Sequence, residues 1–363
     1  MALNNDIAYK FGCGRYIQEK DAIRKNLAGE VRRIGSRPLV IYGKTGRNVA
    51  GGRIASALED AGICFAVTQF LSLPCYDSAD RLVNIARENG CDVICGVGGG
   101  VIMDAAKLAA QRGGLGLIQI PTSSATCAAV TPLSVLYDPE THAYLGSLVL
   151  LREADAVIVD SEVLIRQPLR LFCSGIMDSE AKLIEITHRI QGKDEDDVQI
   201  GLQAAYDLSR TVYDEYEKNL DDVLDDMRAG KITPRFERAV FYAIGMTGVI
   251  SGISKNSSQT ALAHKLYEYS RTGYYAQTKD HLHGELVALG LIPQLAYNGL
   301  DFEKVRDKLI AMGLPSCFSE AGLPLEESVL EYFTDIFCRC PAVNDESPEE
   351  REKIRKALMT IYK

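Results

Sequence analysis

The sequence predicts an α/β domain, a parallel sheet with helices on both faces, followed by an all-helical domain. Three observations predict it. Strand-like and helix-like segments alternate as far as Asp160. The strand-like runs are apolar at successive positions, not alternate ones, as strands buried on both faces are. After Pro168 strand-like runs become scarce and long helical patterns take over. The change falls within 161–168, which sets domains at 1–163 and 164–363.

The elements follow in order. "PLVIYG" (38–43) is a β-rich run closed by glycine, and the helical pattern through "IASALEDAG" stops at Gly62. "ICFAVTQF" (63–70) is the next strand, and "SADRLVNIARENG" (78–90) an amphipathic helix with a glycine stop. "DVICGV" (92–97) runs into three glycines, and a helix follows from Ile102 to Arg112. "GLIQIP" (116–121), "AYLGSLVL" and "DAVIVD" (155–160) are further strands. Beyond Pro168, "MDSEAKLIEITHRI", "DVQIGLQAAYDLSRTVYDEYEKNLDDVL", "PRFERAVFYAIGMTGVISGIS", "HGELVALGLIPQLAYNG" and "SPEEREKIRKALMTIY" read as helices. The acidic run "GKDEDD" (192–197) reads as a solvated helix start.

The composition narrows the function classes. A length of 363 residues suits two cores rather than one, and 47% hydrophobic content is ordinary for a globular chain. No apolar run reaches the roughly 18–20 residues that span a bilayer. The N-terminal "MALNNDIAYKFGCGRY" lacks the basic start and apolar core of an export signal, so a cytoplasmic location is expected. A net charge of −9 argues against nucleic acid or an anionic membrane as the main partner. The ten cysteines are expected to be reduced and mostly packed, since "CRC" at 338–340 has no zinc-knuckle spacing.

Gly98, Gly99 and Gly100 end a strand and open a helix. Free N–H groups and the helix dipole make such a turn an anion site. Neither G-x-G-x-x-G nor a Walker A loop is present. A glycine-rich turn also occurs simply as a packing solution, and both readings stay open on the residues alone.

"GVGGGVIMDAAK" resembles the GGG-x-x-x-D-x-AK cofactor motif of the glycerol dehydrogenase and iron-containing alcohol dehydrogenase superfamily. "IPTSSATCAAVTPLSVLYD" (120–138) is similar to its second cofactor segment. "GIMD" (175–178), "ALAH" (261–264) and "HLHGELVALG" (281–290) match its three metal-ligand segments in the same order. The resemblance spans nearly the whole chain and implies a dehydroquinate synthase-like architecture.

Carried over position by position, the resemblance gives Gly98, Gly99 and Gly100 to the pyrophosphate of a nicotinamide dinucleotide, with Asp104 in the same motif. Val101 stands where relatives have a polar residue. Thr122 and Ser123 match the adenosine side, and Thr131, Leu133 and Tyr137 the nicotinamide half. NAD-preferring relatives carry an acid after the second strand. Here Gly43 and Lys44 stand there, so NADP(H) is expected over NAD(H).

The resemblance also implies that Asp178, His264 and His283 hold one divalent metal. The iron branch has a fourth ligand, a histidine four residues after the aspartate; Lys182 replaces it, which favours zinc over iron. Cys127 replaces a polyol-contacting aspartate, and Lys182 suits a substrate carboxylate. "ATCAA-x-TPLSV" with "D-x-x-AK" resembles the hydroxycarboxylate dehydrogenase subgroup. The expected activity is hydride transfer to or from a small 2-oxo or 2-hydroxy acid, with Asp178, His264 and His283 as the catalytic centre. The alternatives are a glycerol, polyol or alcohol dehydrogenase, a dehydroquinate-synthase-like lyase, and a non-catalytic nucleotide binder. Relatives repeat a histidine after the first histidine ligand; Tyr267 and Glu268 follow here, so the proton route does not transfer. The resemblance implies a homodimer or larger homo-oligomer.

Overall fold

A computed structural model describes residues 8–255 and 261–363. Residues 1–7, at the head of the stretch read as lacking an export signal, lie outside the described residues. The chain divides into two compact units at Phe172/Cys173, Lys218/Asn219 and Gly252/Ile253, so that residues 219–252 belong with the first.

In the first unit the order is β1 (Tyr16–Glu19), α1 (Ala22–Ile34), β2 (Pro38–Tyr42), α2 (Gly46–Glu59), β3 (Ala66–Gln69) and α3 (Tyr76–Glu88). It continues through β4 (Val93–Gly98), α4 (Gly100–Gly113), β5 (Gly116–Pro121), β6 (Leu133–Tyr137), β7 (Tyr144–Val149), β8 (Ala156–Asp160) and α5 (Ser161–Leu164). Six strands form a parallel sheet in the order β1-β8-β5-β4-β2-β3, and β6 and β7 form a separate antiparallel hairpin. Every residue of β2, β4 and β8 is buried, as the unbroken apolar runs require. On one face Val40, Val93, Cys95, Val97, Ile118 and Ile158 meet α1 and α2 through Ile23, Leu27 and Ile54. Helices α3 and α4 pack on each other, and α4 also lies on β4 and β5.

β1 and β6 are two strands that the sequence pattern does not announce. β1 is a four-residue edge strand, half-buried throughout. β6 carries Leu133 and Tyr137 into the hairpin.

Helices follow from α6 (Leu169–Ile190) onward: α7 (Ile200–Arg228), α8 (Pro234–Phe241), α9 (Thr247–Ile253), α10 (Leu262–Gly273), α11 (Tyr275–Thr278) and α12 (His283–Tyr297). The last are α13 (Glu303–Met312), α14 (Glu327–Arg339) and α15 (Pro348–Met359). The second unit holds no strand among the described residues. The acidic run behaves differently from expectation. Glu195–Asp197 form a separate short 3-10 turn, and the long helix begins only at Ile200. No described helix is long and apolar enough to cross a membrane. None of the ten cysteines is in a disulfide, and Cys64 alone is exposed.

Candidate active site

In the second unit α6 carries Asp178, with Lys182 one turn on and Glu185 a further turn on, along one face of the helix. His264 lies in the first turn of α10, and His283 is the first residue of α12. Two glycines let these helices close together. A Cβ at Gly284 would stand 2.1 Å from the Ser174 carbonyl oxygen, and one at Gly290 would stand 2.7 Å from Ala263 Cα. The close approach brings the His264 and His283 rings to 5.4 Å between centroids. Tyr267 packs edge-on to His283, its ring centroid 4.2 Å away. The donor atoms of Asp178, His264 and His283 all lie within 4.8 Å of one another.

Glu185 sets the orientation of His264. Its Oε1 accepts the His264 main-chain N–H at 3.1 Å, and its other oxygen bonds the ring Nδ1. With Nδ1–H on a carboxylate, Nε2 turns inward, the arrangement that fixes the tautomer of a ligating imidazole. Gln294 Oε1 accepts the Leu262 N–H at 2.7 Å and steadies the same helix start.

Asp178 Oδ1 is the focus of the centre. Lys182 Nζ lies 3.2 Å from it, and the Nε2 atoms of His264 and His283 each lie 3.4 Å from it. Lys182 Nζ is also 3.0 Å from His264 Nε2. The Lys182 side chain is 1% exposed, whereas that of His283 is 25% exposed and is the member that opens outward. Burial acts against ionised Asp178, but the Lys182 charge, reinforced by His283, holds its carboxyl well below the usual range. Burial pushes His283 below the ordinary histidine value despite Asp178. For His264, burial opposes a charge and Glu185 favours it, with the net direction upward. His264 Nε2 thus faces both the Lys182 ammonium, at 3.0 Å, and Asp178 Oδ1, at 3.4 Å, while Glu185 holds the opposite ring nitrogen.

The donor set has the chemistry of a divalent-metal site, but Lys182 stands in the way. A metal bound about 2.1 Å from both Asp178 Oδ1 and His264 Nε2, which are 3.4 Å apart, is confined to a ring of about 1.2 Å radius. Nζ, at 3.2 and 3.0 Å from the same two atoms, lies about 2.6 Å from the ring's centre, so no point of the ring is farther than about 3.8 Å from it. At that distance a dication and an ammonium repel by about 9 kcal/mol at an effective dielectric of about 20. With Lys182 in this position the residues do not fit a divalent metal. Lys182, expected only not to ligate, also has its Nζ within reach of both atoms that would face a metal.

The first unit gathers the residues expected to hold a dinucleotide. The three glycines differ in role. A Cβ at Gly98 would meet Ile102 Cγ1 at 2.7 Å, so this glycine serves the close seating of α4 on β4. A Cβ at Gly100 would meet Thr126 Oγ1 at 3.1 Å, whereas at Gly99 the nearest atom would be Ser123 Oγ at 3.6 Å. Gly99 is the N-cap of α4; the Ile102 N–H already bonds the Gly99 carbonyl at 2.9 Å, and Gly100 and Val101 carry the first-turn N–H groups that have no acceptor within the helix. That cradle, which a side chain at 99 would fill, fits a pyrophosphate. Val101, 38% exposed, is in the same turn. Thr122 N–H bonds the Gly98 carbonyl at 2.9 Å, which keeps Thr122 and Ser123 beside the glycines.

Asp104 and Lys107 face inward. Lys107 Nζ lies 2.9 Å from Asp104 Oδ1 and donates to the carbonyls of Thr131, at 3.1 Å, and Leu133. The pair thus fixes the backbone of the 131–133 segment. Thr131 Oγ1 is buried without a hydrogen-bond partner in the structure. Leu133 is buried, Tyr137 is half-buried, and Cys127 is buried with its carbonyl accepting the N–H groups of Val130 and Thr131, each at 3.0 Å. At the end of β2, Gly43 N–H bonds the Val97 carbonyl at 3.1 Å and Lys44 is exposed. Arg47, exposed in the first turn of α2, is a second cation there that the sequence reading passed over.

The other histidines lie apart from the centre. His188 bonds Asn298 at 2.8 Å and the Ala342 carbonyl at 3.2 Å, a packed structural ring. His142 sits in the β6–β7 turn with a positive φ of 61°. His281 Nδ1 is 3.4 Å from Glu285.

Known proteins match this chain in sequence and in fold. The sequence profile described as iron-containing alcohol dehydrogenase matches residues 13–161. A glycerol dehydrogenase of Pseudomonas putida is 30% identical over 316 residues, 85% of this chain and 84% of that protein. A glycolaldehyde reductase of Halobacterium salinarum is 25% identical over 352 residues, 95% and 94% of the two chains. Hydroxycarboxylate dehydrogenase A of Escherichia coli is 28% identical over 269 residues, 73% and 71% of the two chains. The crystal structure of a probable glycerol dehydrogenase from Sinorhizobium meliloti superposes with a TM-score of 0.82 at 24% identity, covering 98% of each chain. Enzymes of this family are NAD(P)-linked and use a divalent metal. The chain belongs to the iron-containing alcohol dehydrogenase family and is an oxidoreductase of its glycerol dehydrogenase-like kind.

Proposed function

We propose that the chain interconverts a small hydroxy compound and its carbonyl, with NADP(H) preferred over NAD(H). Gly99 and the first turn of α4 would hold the pyrophosphate, with Ser123 beside it. A bound nicotinamide dinucleotide supplies or accepts the hydride. Asp178, His264 and His283 form the catalytic centre, and His283 is the group that meets the reacting oxygen. Its ring lies between Asp178 and Tyr267 and is the part of the centre that opens outward.

The charge of the centre carries the substrate assignment. Two acids, Asp178 and Glu185, stand against one ammonium, Lys182, which is already paired to Asp178. A buried excess of acids favours an uncharged substrate, such as a small polyol or hydroxyaldehyde, over an acid. A second reading, a 2-oxo or 2-hydroxy acid, is supported by Cys127 and by the hydroxycarboxylate dehydrogenase relative. There Cys127 and Lys182 would be the substrate-side residues.

For the cofactor, the absence of an acid at Gly43 and the exposed Lys44 and Arg47 favour a 2′-phosphate. The working assembly is a cytoplasmic homodimer or larger homo-oligomer. One screen tests the reading: NADPH and NADH oxidation over hydroxyaldehydes, simple aldehydes and 2-oxo acids, and NADP⁺ reduction over polyols. Turnover with neutral carbonyls at least about tenfold above acids, and faster with NADPH, is expected. Preference for acids establishes the second reading, equal use of NADH refutes the cofactor assignment, and no turnover with any substrate refutes both.

A further inference from the structure

We propose that the ammonium of Lys182 is the resident cation of this centre, and that the chain holds no divalent metal among Asp178, His264 and His283. The inference rests on reading these residues as the active centre of an oxidoreductase.

Four observations carry it. Lys182 has no exposed surface, so its charge is satisfied inside the protein or not at all. Its Nζ reaches both Asp178 Oδ1, at 3.2 Å, and His264 Nε2, at 3.0 Å, the two atoms that would have to turn to a metal. Glu185 holds the Nδ1 side of the His264 ring, which leaves Nε2 facing Lys182 Nζ. Finally, Asp178 and Lys182 sit one turn apart on a single helix, so the backbone keeps the two side chains neighbours.

Lys182 acts as a positioning residue. It neutralises Asp178 and gives His264 a fixed partner, and those two hold the His283 ring in place. A dication would ask the same carboxylate and imidazole to serve two cations within about 3.8 Å.

The test is zinc binding, measured by calorimetry and by elemental analysis of protein grown with and without added zinc. Wild type is expected to contain no stoichiometric metal and to keep its activity in EDTA. Lys182→Ala removes the cation and leaves one carboxylate and two imidazoles, a set that zinc takes more readily than iron. It is expected to bind one zinc per chain at least about 100-fold more tightly than wild type, and Lys182→Ala/His283→Ala is expected to lose that gain. One zinc on wild type with the affinity of Lys182→Ala overturns the inference. So does a failure of both proteins to bind zinc, since Lys182 is then not what keeps metal out. If Lys182→Ala does not fold, the metal content and EDTA resistance of wild type decide alone. Wild type that turns over only with added zinc sinks this inference and leaves the oxidoreductase reading standing. Absence of turnover with every substrate sinks that reading, while the zinc measurement still decides this one.

Discussion

Gly284→Ala is expected to damage the second unit far more than an alanine substitution normally does. The new Cβ would lie 2.1 Å from the Ser174 carbonyl oxygen and 2.6 Å from its Oγ. The serine hydroxyl can rotate, but the carbonyl is held in α6. Restoring a contact of about 3.5 Å requires α12 to lift from α6 by about 1.4 Å. Overpacking of this kind costs about 1–3 kcal/mol, and the rigid obstacle places it at the upper end. With about 2–4 °C per kcal/mol for a domain of this size, the melting temperature should fall by about 6–12 °C. His283 adjoins the substituted residue and moves with α12, so its 3.4 Å approach to Asp178 should open as well. The control is Gly52→Ala, exposed within α2, where a Cβ meets nothing within 4 Å. That substitution relieves backbone entropy and should stabilise by about 0.5–1 kcal/mol. Thermal melts followed by circular dichroism compare the two. Equal melting temperatures for Gly284→Ala and wild type would refute the argument that helix spacing assembles the centre.

Two further outcomes are expected. Lys107→Met leaves the Asp104 carboxylate buried without its ammonium and frees the Thr131 and Leu133 carbonyls, at a cost of about 3–5 kcal/mol. Asp104→Leu/Lys107→Met should recover at least about 1 kcal/mol in denaturant melts, and strict additivity would exclude the coupling. Asp226 accepts from Thr233 Oγ1 and, in a fork whose longer arm is 3.0 Å, from Arg235; hydrogen bonding to Arg235 holds its carboxyl below the ordinary value. A depressed folded-state value gives stability that is present above the ordinary carboxyl value of about 3.9 and is lost as pH falls through the folded one. Discounted for the exposure of Arg235, Asp226→Asn should cost about 1–2 kcal/mol at neutral pH. The gap to wild type should close as pH falls below the depressed folded-state value, and a gap that persists unchanged through acid unfolding counts against the assignment.

The sheet was legible because its central strands are buried on both faces and leave unbroken apolar runs with glycine stops. β1 escaped because a half-buried four-residue edge strand carries no such run. Glycine reads alike in sequence whether it admits a ligand or a neighbouring helix. Only the positions of Ile102 and Ser123 separate the role of Gly98 from that of Gly99. In the second unit, i,i+4 spacing placed Lys182 beside Asp178, but its contact with His264 comes from a helix 82 residues away. Glu185 left a fainter trace, a second acid on the face of α6 that carries Asp178 and Lys182. Arg47 was overlooked since a cation in a helix's first turn carries no pattern of its own.

Glu185 ties two events of folding into one. The same carboxylate bonds the His264 amide, in the first turn of α10, and the ring of that residue, so each bond favours the other. Fraying of that first turn is therefore expected to loosen the imidazole as well. The exchange rate of the His264 amide with deuterium is then a clock for the centre itself, readable before any substrate is known.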